Sequence, residues 1–320
     1  MNNTNTQSEK LVEFVRDGLV ETEHYGYVVR CSKNHVAEKI GDDKNYPFYL
    51  RSCAKPLQAS LLVDYGLDKE YDLTSSEIAV CCASHAGETV HINILKKLME
   101  KFELFETDLK CGVIEPLSQR AQRKLILNNE KPTVLHNNCS GKHIMMLGLC
   151  RLKGWDIENY DDLNHPLQLE IKKRIYELCG LKQRFPVTKD GCGVPICSMP
   201  LSNMVQGYLN LFCDEKYAVI KDAFLNNPYL IGGENRTDTK IIENSKKLIA
   251  KVGAGGLCIV VNPEIEEGFV VKICDANMLA REVATIDLIN NLHWANIEVN
   301  HDILINSGDK VGKIVSVVQA

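Results

Sequence analysis

Two apolar runs near the carboxyl end decide the predicted fold of this chain: Gly256-Leu257-Cys258-Ile259-Val260-Val261 and Gly268-Phe269-Val270-Val271-Lys272-Ile273. Both runs are rich in β-branched residues and have the length of a strand. Because a short acidic loop joins them, we expect an antiparallel hairpin.

Other strand and helix signals lie outside this hairpin. Residues 25–30 and 47–50 near the start, and residues 312–318 at the end, also favour strands. Between them the apolar residues follow a helical period. It predicts helices at 75–83, 89–102, 143–152, 166–179, 200–212, 216–226, 238–250 and, after the hairpin, 278–293.

This order of elements predicts the α+β class. Strands from both chain ends would form a mostly antiparallel sheet packed with helices, with a helical middle region at about 60–250 inserted between them. Since no linker, repeat or low-complexity tract marks a boundary, we expect residues 1–320 to form a single catalytic unit.

Composition narrows the class of partner. The chain has 320 residues, of which 45% are hydrophobic and 25% charged, as in ordinary globular proteins. The formal net charge is −5 and the charges are interspersed, so nothing favours nucleic acid or an anionic membrane. Residues 1–10 are polar, and no later stretch has the length and apolarity of a membrane span. We expect a cytoplasmic protein that acts on a small molecule.

Thirteen cysteines are present, and their number and spacing argue against a disulfide framework. The count is odd, no Cys-x-x-Cys occurs, and a chain of this size needs no covalent staples. A reducing compartment fits best. Most of the cysteines are expected to be small buried hydrophobic residues, including Cys150, Cys179, Cys213, Cys258 and Cys274.

A Ser-x-x-Lys pair lies in Arg51-Ser52-Cys53-Ala54-Lys55-Pro56. A helix would place both side chains on one face, and a neutral lysine can take the proton of a serine hydroxyl. Lys55 would then need its pKa lowered from ~10.4 to near 7 by burial or by a neighbouring cation such as Arg51. The alternative is that Ser52 caps a helix and Lys55 is solvated. The same spacing recurs at Ser307 and Lys310 in a predicted exposed turn, so context must decide.

A second serine and a late lysine follow. Ser84 lies in Cys82-Ala83-Ser84-His85, between two predicted helices, where it is placed like a second active-site hydroxyl. Alternatively, Ser84 and Glu88 cap these helices. Lys251 lies just before the first predicted strand of the carboxyl end and would face the Ser-Lys pair across the sheet edge.

Two further segments carry thiols. His136-Asn137-Asn138-Cys139-Ser140-Gly141-Lys142-His143 is predicted to open a helix, where the macrodipole lowers a thiol's pKa. Asp190-Gly191-Cys192 is a turn with a carboxylate and a thiol. Two thiols and a nitrogen between them could hold zinc. From the residues alone, His143 or His136 would supply that nitrogen.

Five separated motifs resemble, in order, those of one enzyme family. They are Arg51-Ser52-x-x-Lys55-Pro56-x-Gln58, Cys82-Ala83-Ser84-His85, Asn138-Cys139-Ser140-Gly141-Lys142-His143, Asp190-Gly191-Cys192 and Lys251-x-Gly253-Ala254. Together they resemble the zinc-dependent, thermolabile (class 3) L-asparaginases first known from rhizobia. This family is structurally similar to serine β-lactamases and glutaminases, which agrees with the predicted layout.

The resemblance implies a reaction and roles for named residues. Ser52 with Lys55 would be the nucleophile and its base, and Ser84 with Lys251 a second dyad that relays protons. The side-chain amide of L-asparagine would be hydrolysed to L-aspartate and ammonia through an acyl-enzyme.

The resemblance also implies a metal site, a substrate site and an assembly. Zinc (Zn²⁺) would be bound by Cys139, Lys142 and Cys192, so that a lysine, not a histidine, is the nitrogen ligand. Three residues would hold the α-carboxylate and α-ammonium of the substrate, and the protein would be a homodimer. These substrate-binding residues would be Arg51, His143 and Asp190.

Two positions depart from the family pattern. The acidic residue that the family has after Gly-Ala is Gly255 here, and its usual Asp-Gly-Asn reads Asp275-Ala276-Asn277. These changes concern loop conformation and substrate preference, since every hydroxyl, amine and thiol of the proposed chemistry is present.

Three other functions compete. A serine β-lactamase or transpeptidase shares the order of these motifs, but such enzymes have a hydroxyl where this chain has Val252. A glutaminase is close in chemistry, because one methylene discriminates substrates by only ~1–3 kcal/mol. A thiol and zinc sensor without catalytic activity is an alternative from another class.

Overall fold

The computed structural model describes residues 6–33 and 35–318, so the first five residues of the polar start lie outside it. The strands are β1 (Glu9–Arg16), β2 (Leu19–Ser32), β3 (His35–Ile40), β4 (Phe48–Tyr49), β5 (Val187–Lys189), β6 (Pro195–Met199), β7 (Ile249–Gly253), β8 (Leu257–Asn262), β9 (Glu267–Ile273), β10 (Asp302–Leu304) and β11 (Lys310–Ser316).

The helices occupy most of the middle. They are α1 (Lys55–Asp64), α2 (Leu67–Glu70), α3 (Ser75–Cys82), α4 (Thr89–Lys101), α5 (Gln119–Leu127), α6 (Ser140–Lys153), α7 (Pro166–Leu178), α8 (Leu201–Phe212), α9 (Ala218–Asn226), α10 (Pro228–Ile231), α11 (Thr237–Ser245) and α12 (Met278–Asn291). Short 3-10 turns connect several of them, including one at Arg51–Ala54.

The main sheet has eight strands in the order β10-β11-β1-β2-β9-β8-β7, with β3 also pairing with β2. The predicted hairpin is β8 and β9, with Leu257 opposite Lys272. Strand β2 joins the amino-terminal strands to β9, and β11 pairs with β1. Since these pairings are antiparallel and the strands come from both chain ends, the α+β prediction is confirmed.

The buried layer lies along β7, β8 and β9, whose residues are nearly all buried. Strands covered on both faces are apolar throughout and do not alternate, which is why these runs were recognisable in the sequence. Helices α8 and α12 pack against the sheet, and α1 packs against α3, α6 and α7. This arrangement puts the turn Arg51–Ala54, which leads into α1, next to β7.

The predicted helix at 238–250 is wrong in its second half. Helix α11 ends at Ser245, Lys246 adopts a left-handed conformation with φ 56°, and the chain continues as β7. A residue with this φ cannot extend a right-handed helix. Lys251 therefore lies within the edge strand β7 and not just before the first strand.

The middle region, which we expected to be helical, also contains two short strands. Strands β5 and β6 lie inside it and form a small sheet with β4, in the order β4-β6-β5. Residues 47–50 therefore contain a strand, as predicted, but it pairs with β6 and not with the main sheet. Strands β1 and β3, in which charged and apolar residues are mixed, were not predicted from the sequence.

The cysteines are free thiols, and most of them are buried. Burial was predicted and is confirmed for Cys150, Cys179 and Cys258, whereas Cys213 is half-buried and Cys274 is exposed. Cys274 directly follows β9, where the chain turns outward. Over the described residues, no helix combines the length and the apolarity needed to cross a membrane.

Candidate active site

Ser52 lies in a tight turn between β4 and α1. Arg51, the residue before it, has φ 49°, a left-handed conformation that costs a side-chain-bearing residue about 1–2 kcal/mol. The 3-10 turn Arg51–Ala54 then leads into α1, where Pro56 occupies a favourable position in the first turn. Strained backbone of this kind concentrates at functional sites.

Lys55 is completely buried, so the alternative of a solvated lysine is wrong. Its Nζ lies 2.6 Å from the carbonyl oxygen of Ala83, 2.9 Å from Ser84 Oγ and 3.0 Å from the carbonyl oxygen of Asn138. Burial lowers the pKa of Lys55 to about 8, and the charges of Lys142 and Lys251 act in the same direction. Arg51, which we expected to supply such a charge, pairs elsewhere.

Lys251 approaches the same serine from β7. Its Nζ lies 3.1 Å from Ser84 Oγ, 3.2 Å from Asp238 Oδ2 and 3.0 Å from the carbonyl oxygen of Val252. Burial opposes ionisation of Asp238, but Lys251, Arg236 and Arg281 lower the pKa of that carboxyl. Asp238 thereby balances the charge of Lys251, and two buried amines converge on Ser84.

The alternative that Ser84 and Glu88 act as caps is correct for Glu88, which occupies the N-cap position of α4, but not for Ser84. Helix α4 begins after Glu88, and the backbone N–H of Ser84 donates to the carbonyl oxygen of Ile231. The second Ser-x-x-Lys pair is an exposed turn, as predicted: Ser307 bonds to Asp309, and Lys310 pairs with Asp302.

Ser52 and Ser84 line one cavity of about 320 Å³. Among the described residues, the Ser52 hydroxyl has no hydrogen-bond partner, so the structure joins the Lys55 amine to Ser84 and not to Ser52. The other walls come from the residue before α11, β7, the turn after it, the start of α12 and two loops. They include Leu117, Asn138, Arg236, Val252, Ala276, Met278, Arg281 and residues 253–256.

The three residues expected to bind zinc are brought together beside this cavity. Cys139 immediately precedes α6, Lys142 lies in its first turn, and Cys192 comes from the turn between β5 and β6. A hydrogen bond with the Cys192 thiol lowers the pKa of Cys139 well below its usual value. Burial alone would lower the pKa of Lys142, but the two sulfurs and Asp190 raise it above its usual value.

The donor set suits a zinc ion. Sulfur and nitrogen ligands are those that zinc prefers, and a bound cation would displace the proton of Lys142 and stabilise the thiolates. Among the described residues, no group of three or more His, Cys, Asp or Glu side chains is arranged to hold a metal. The proposed zinc site has three ligands only if the buried amine of Lys142 is counted together with the thiols of Cys139 and Cys192.

Gly141 explains how these residues reach their positions. A Cβ atom at Gly141 would lie 2.1 Å from the carbonyl oxygen of Val80, so only glycine lets α6 begin in contact with α3. Because α6 begins so close to α3, its first turn holds Cys139 and Lys142 near one another. The same contact brings the carbonyl oxygen of Asn138 to Lys55.

The residues expected to hold the substrate's α groups contact other side chains of the protein. Arg51 Nε lies 2.6 Å from Asp190 Oδ1, so these two side chains neutralise one another. His143 is completely buried, and its Nδ1 lies 2.6 Å from Tyr160 Oη. Burial lowers the pKa of His143 well below its usual value, so the ring is neutral. None of these three residues lines the cavity that contains Ser52.

Sequence reasoning missed Arg236 and Arg281, which do line that cavity. Arg236 precedes α11 and Arg281 lies in the first turn of α12. No motif surrounds either residue, and their place in the cavity wall depends on how these helices meet β7. The only sequence signal is a cation within a turn of a helix start, where the macrodipole disfavours it.

A family model described as L-asparaginase II matches residues 12–315, nearly the whole chain. The chain belongs to the L-asparaginase II family. The asparaginase part of the resemblance is therefore confirmed, and the family indicates an amidohydrolase that acts on a small molecule. No curated protein matches the chain.

Solved structures give more distant likenesses. A beta-lactamase from Mycobacterium bovis is 12% identical over 84% of this chain and 95% of its own, with a TM-score of 0.44. A protein from Bacillus anthracis described as a 6-aminohexanoate-dimer hydrolase is 11% identical over 84% of this chain and 79% of its own, with a TM-score of 0.46. At these values the likenesses support no inference about the site.

The two departures from the asparaginase pattern both lie in the cavity wall. Gly255 has φ 74°, and Ala276 has φ 64° although it is not glycine. Ala276 lies between Asp275, which contacts His24 Nδ1 at 2.6 Å, and Asn277, whose side chain accepts a hydrogen bond from Ala280 at the start of α12. In this member of the L-asparaginase II family, the turn is fixed by these flanking contacts and not by a glycine.

Proposed function

We propose that this protein is an L-asparaginase that converts L-asparagine to L-aspartate and ammonia through an acyl-enzyme on Ser52. The observation that carries the proposal is the convergence of two buried lysines, Lys55 and Lys251, on Ser84 in the cavity that Ser52 lines. Family membership supports amide hydrolysis.

The contacts of Lys55 suggest how it acts as a base. An ammonium group has three N–H donors, and Lys55 Nζ has three partners. When the amine is neutral, the two carbonyl oxygens retain two N–H groups and the lone pair is left for a hydroxyl. We propose that this lone pair serves Ser84 at rest and Ser52 when the substrate enters.

The reaction then balances in two halves. Ser52 Oγ attacks the side-chain amide carbon and gives its proton to neutral Lys55. The carbon–nitrogen bond breaks as Ser84 donates a proton to the leaving nitrogen and is reprotonated from Lys55, so ammonia leaves and a β-aspartyl ester forms. Water then hydrolyses the ester, with Lys55 accepting a proton from water and Ser52 regaining one. Lys251 holds the Ser84 hydroxyl in place through its contact of 3.1 Å.

We also propose that Cys139, Lys142 and Cys192 hold zinc. When bound, zinc would act as a Lewis acid that orients polar groups of the substrate beside Ser52. Two residues of this chain would support the zinc site. Asp190 places negative charge 3.9 Å from the Lys142 amine, and Gly141 fixes the start of α6, which carries Lys142.

The test is acid-quench mass spectrometry with L-asparagine, L-glutamine and nitrocefin, with ammonia measured in parallel for the two amides. We expect ammonia and a transient β-aspartyl adduct on the peptide that contains Ser52. Ser52→Ala should abolish both, whereas Ser84→Ala should slow both adduct formation and decay. Ser307→Ala, from the exposed Ser-x-x-Lys turn, is the matched control and should behave as the wild type.

Two results would contradict the proposal. An adduct on Ser84 that persists in Ser52→Ala would move the nucleophile to Ser84. Rapid hydrolysis of nitrocefin without release of ammonia would instead favour a β-lactamase.

A further inference from the structure

Two arginines of the cavity have no ion-pair partner. Within the described residues, neither Arg236 nor Arg281 lies within 4.0 Å of a carboxylate, and the Nε atoms of both are buried without a hydrogen-bond partner. Arg281 is only 6% exposed, and its single hydrogen bond runs from Nη1 to the carbonyl oxygen of Gly253 at 3.4 Å. Both guanidinium groups act on the charge of Asp238, but neither lies within ion-pair distance of that carboxylate. Because a buried guanidinium without a direct ion-pair partner is costly, a ligand anion is the expected partner.

Two other cations near the site already have an ion-pair partner. Lys251 pairs with Asp238, and Arg51 pairs with Asp190. The Oδ2 atom of Asp238 is occupied by Lys251 and by the backbone N–H of Val252. A substrate carboxylate that bound Arg51 would have to displace Asp190. At Arg236 and Arg281 it would displace nothing.

We propose that Arg281 and Arg236 form the subsite that binds the substrate's α-carboxylate, in place of Arg51. This inference rests on the proposed function and specifies its substrate class: small amides that carry a free carboxylate. A guanidinium fork matches a carboxylate in bidentate geometry, and both arginines share the cavity with Ser52. The cavity of about 320 Å³ is at the small end of ligand sites, which suits an amino acid.

The experiment compares ligands that differ only by this carboxylate. L-Asparagine and 3-aminopropanamide, which is asparagine without its α-carboxylate, are assayed for ammonia release. L-Aspartate and β-alanine, which are related in the same way, are titrated by calorimetry, a readout that needs no turnover. The variants are Arg281→Met, Arg281→Lys, Arg236→Met and Arg51→Met, with exposed Arg123→Met as the control.

We expect Arg281→Met to lower kcat/KM for L-asparagine, and the affinity for L-aspartate, by about tenfold or more, as for loss of a charged hydrogen bond. The values for 3-aminopropanamide and β-alanine should stay near those of the wild type, so the discrimination between the paired ligands collapses. Arg281→Lys and Arg236→Met should lose part of the discrimination between the paired ligands, and Arg123→Met should retain all of it. A merely structural role would lower both members of each pair equally.

The outcomes separate the two proposals. If both cavity variants keep the discrimination while Arg51→Met loses it, the subsite belongs to Arg51 and our inference is wrong. If L-aspartate binds through Arg281 but L-asparagine releases no ammonia, the inferred carboxylate subsite is supported and the proposed asparaginase function is wrong. A wild-type protein that neither binds L-aspartate nor hydrolyses L-asparagine overturns both.

Discussion

Lys55 is the residue on which the proposed chemistry depends most directly. A lysine on the surface is protonated at neutral pH and cannot accept the proton of a hydroxyl. Complete burial removes the water that would solvate the ammonium, and two further lysines oppose its charge. The pKa of Lys55 is therefore lowered, so that the amine can both accept and donate a proton near neutral pH.

The first prediction concerns pH. Because burial lowers the pKa of Lys55 to about 8, the neutral base is lost as the pH falls through that value. We expect kcat/KM for L-asparagine to reach a plateau above the midpoint and to fall about tenfold for each pH unit below it. Steady-state ammonia release, with circular dichroism to exclude unfolding, measures this. A rate that does not change between about pH 6 and about pH 9 would contradict the role of Lys55.

Ala276 gives a second prediction at this scale. Its φ of 64° costs alanine about 1–2 kcal/mol, of which glycine would recover part after its larger loss of chain entropy. Ala276→Gly should therefore raise the free energy of unfolding by up to about 1 kcal/mol, measured by urea denaturation. Ala280→Gly, three residues into α12, should instead lower it by about 1 kcal/mol or more. Two changes of the same sign would refute this account of the turn.

Reactive residues in short motifs could be identified from the sequence, whereas the unpaired arginines could not. Ser52, Lys55, Ser84 and Lys251 each lie in a short motif that the resemblance identified. That Lys55 contacts Ser84, and that Arg51 is neutralised by Asp190, depends on distances between segments far apart in the chain.

At the scale of elements, the contact between β7 and the turn that carries Ser52 positions the site. A Cβ atom at Gly253 would lie 3.0 Å from Cys53 Sγ and 3.1 Å from the carbonyl oxygen of Leu50. Such a contact leaves no room for a methyl group unless the turn moves. The Cys53 thiol also lies 3.3 Å from the carbonyl oxygen of Lys251, so the turn and the strand shift together.

Gly253→Ala should therefore lower activity more than stability. Overpacking costs about 1–3 kcal/mol, and a displacement of Ser52 by about 1 Å costs about a hundredfold in rate. Gly268→Ala is the matched control, since a Cβ atom there would also be crowded, 2.9 Å from Val261 Cγ2, but in β9 and away from Ser52. We expect it to lower the urea midpoint while leaving kcat of the folded protein intact. Equal losses of kcat would exclude a specific role for the contact.

Strand β7 was not predicted from the sequence, which indicated a longer helix in its place. The helical period of α11 continues to residue 250, so periodicity alone extended the predicted helix into the start of β7. The left-handed Lys246 and the pairing with β8 overrule that local preference. Strands β8 and β9 were predicted correctly because burial on both faces makes them apolar throughout.

For the whole molecule, the main sheet depends on strands from both ends of the chain. Strand β11 covers the edge of β1, with Ile314 opposite Phe14, and α12 packs against both. Without β11 the edge of β1 would be exposed as a template for association between molecules.

Removal of residues 301–320 should destabilise the protein and promote aggregation. Loss of the buried Ile314 and Val318 side chains alone accounts for about 3 kcal/mol or more. Thermal unfolding with light scattering measures both effects. Asp309→Asn, which alters only the turn between β10 and β11, is the control and should leave the melting temperature unchanged. An equally stable, monodisperse truncated chain would show that β11 is dispensable.

The placement of Lys251 in β7 has a consequence for biosynthesis. Ser52 and Lys55 leave the ribosome long before the segment that supplies the second amine, since some two hundred residues separate them. Translation proceeds at about 5–20 residues per second, so the early part of the chain waits about ten seconds or more for its partner. During that interval Ser84 lacks one of its two amines, and under the proposed mechanism we expect the nascent polypeptide to be inactive. The appearance of hydrolytic activity should therefore report that the segment carrying Lys251 has been synthesised and has folded against Ser84.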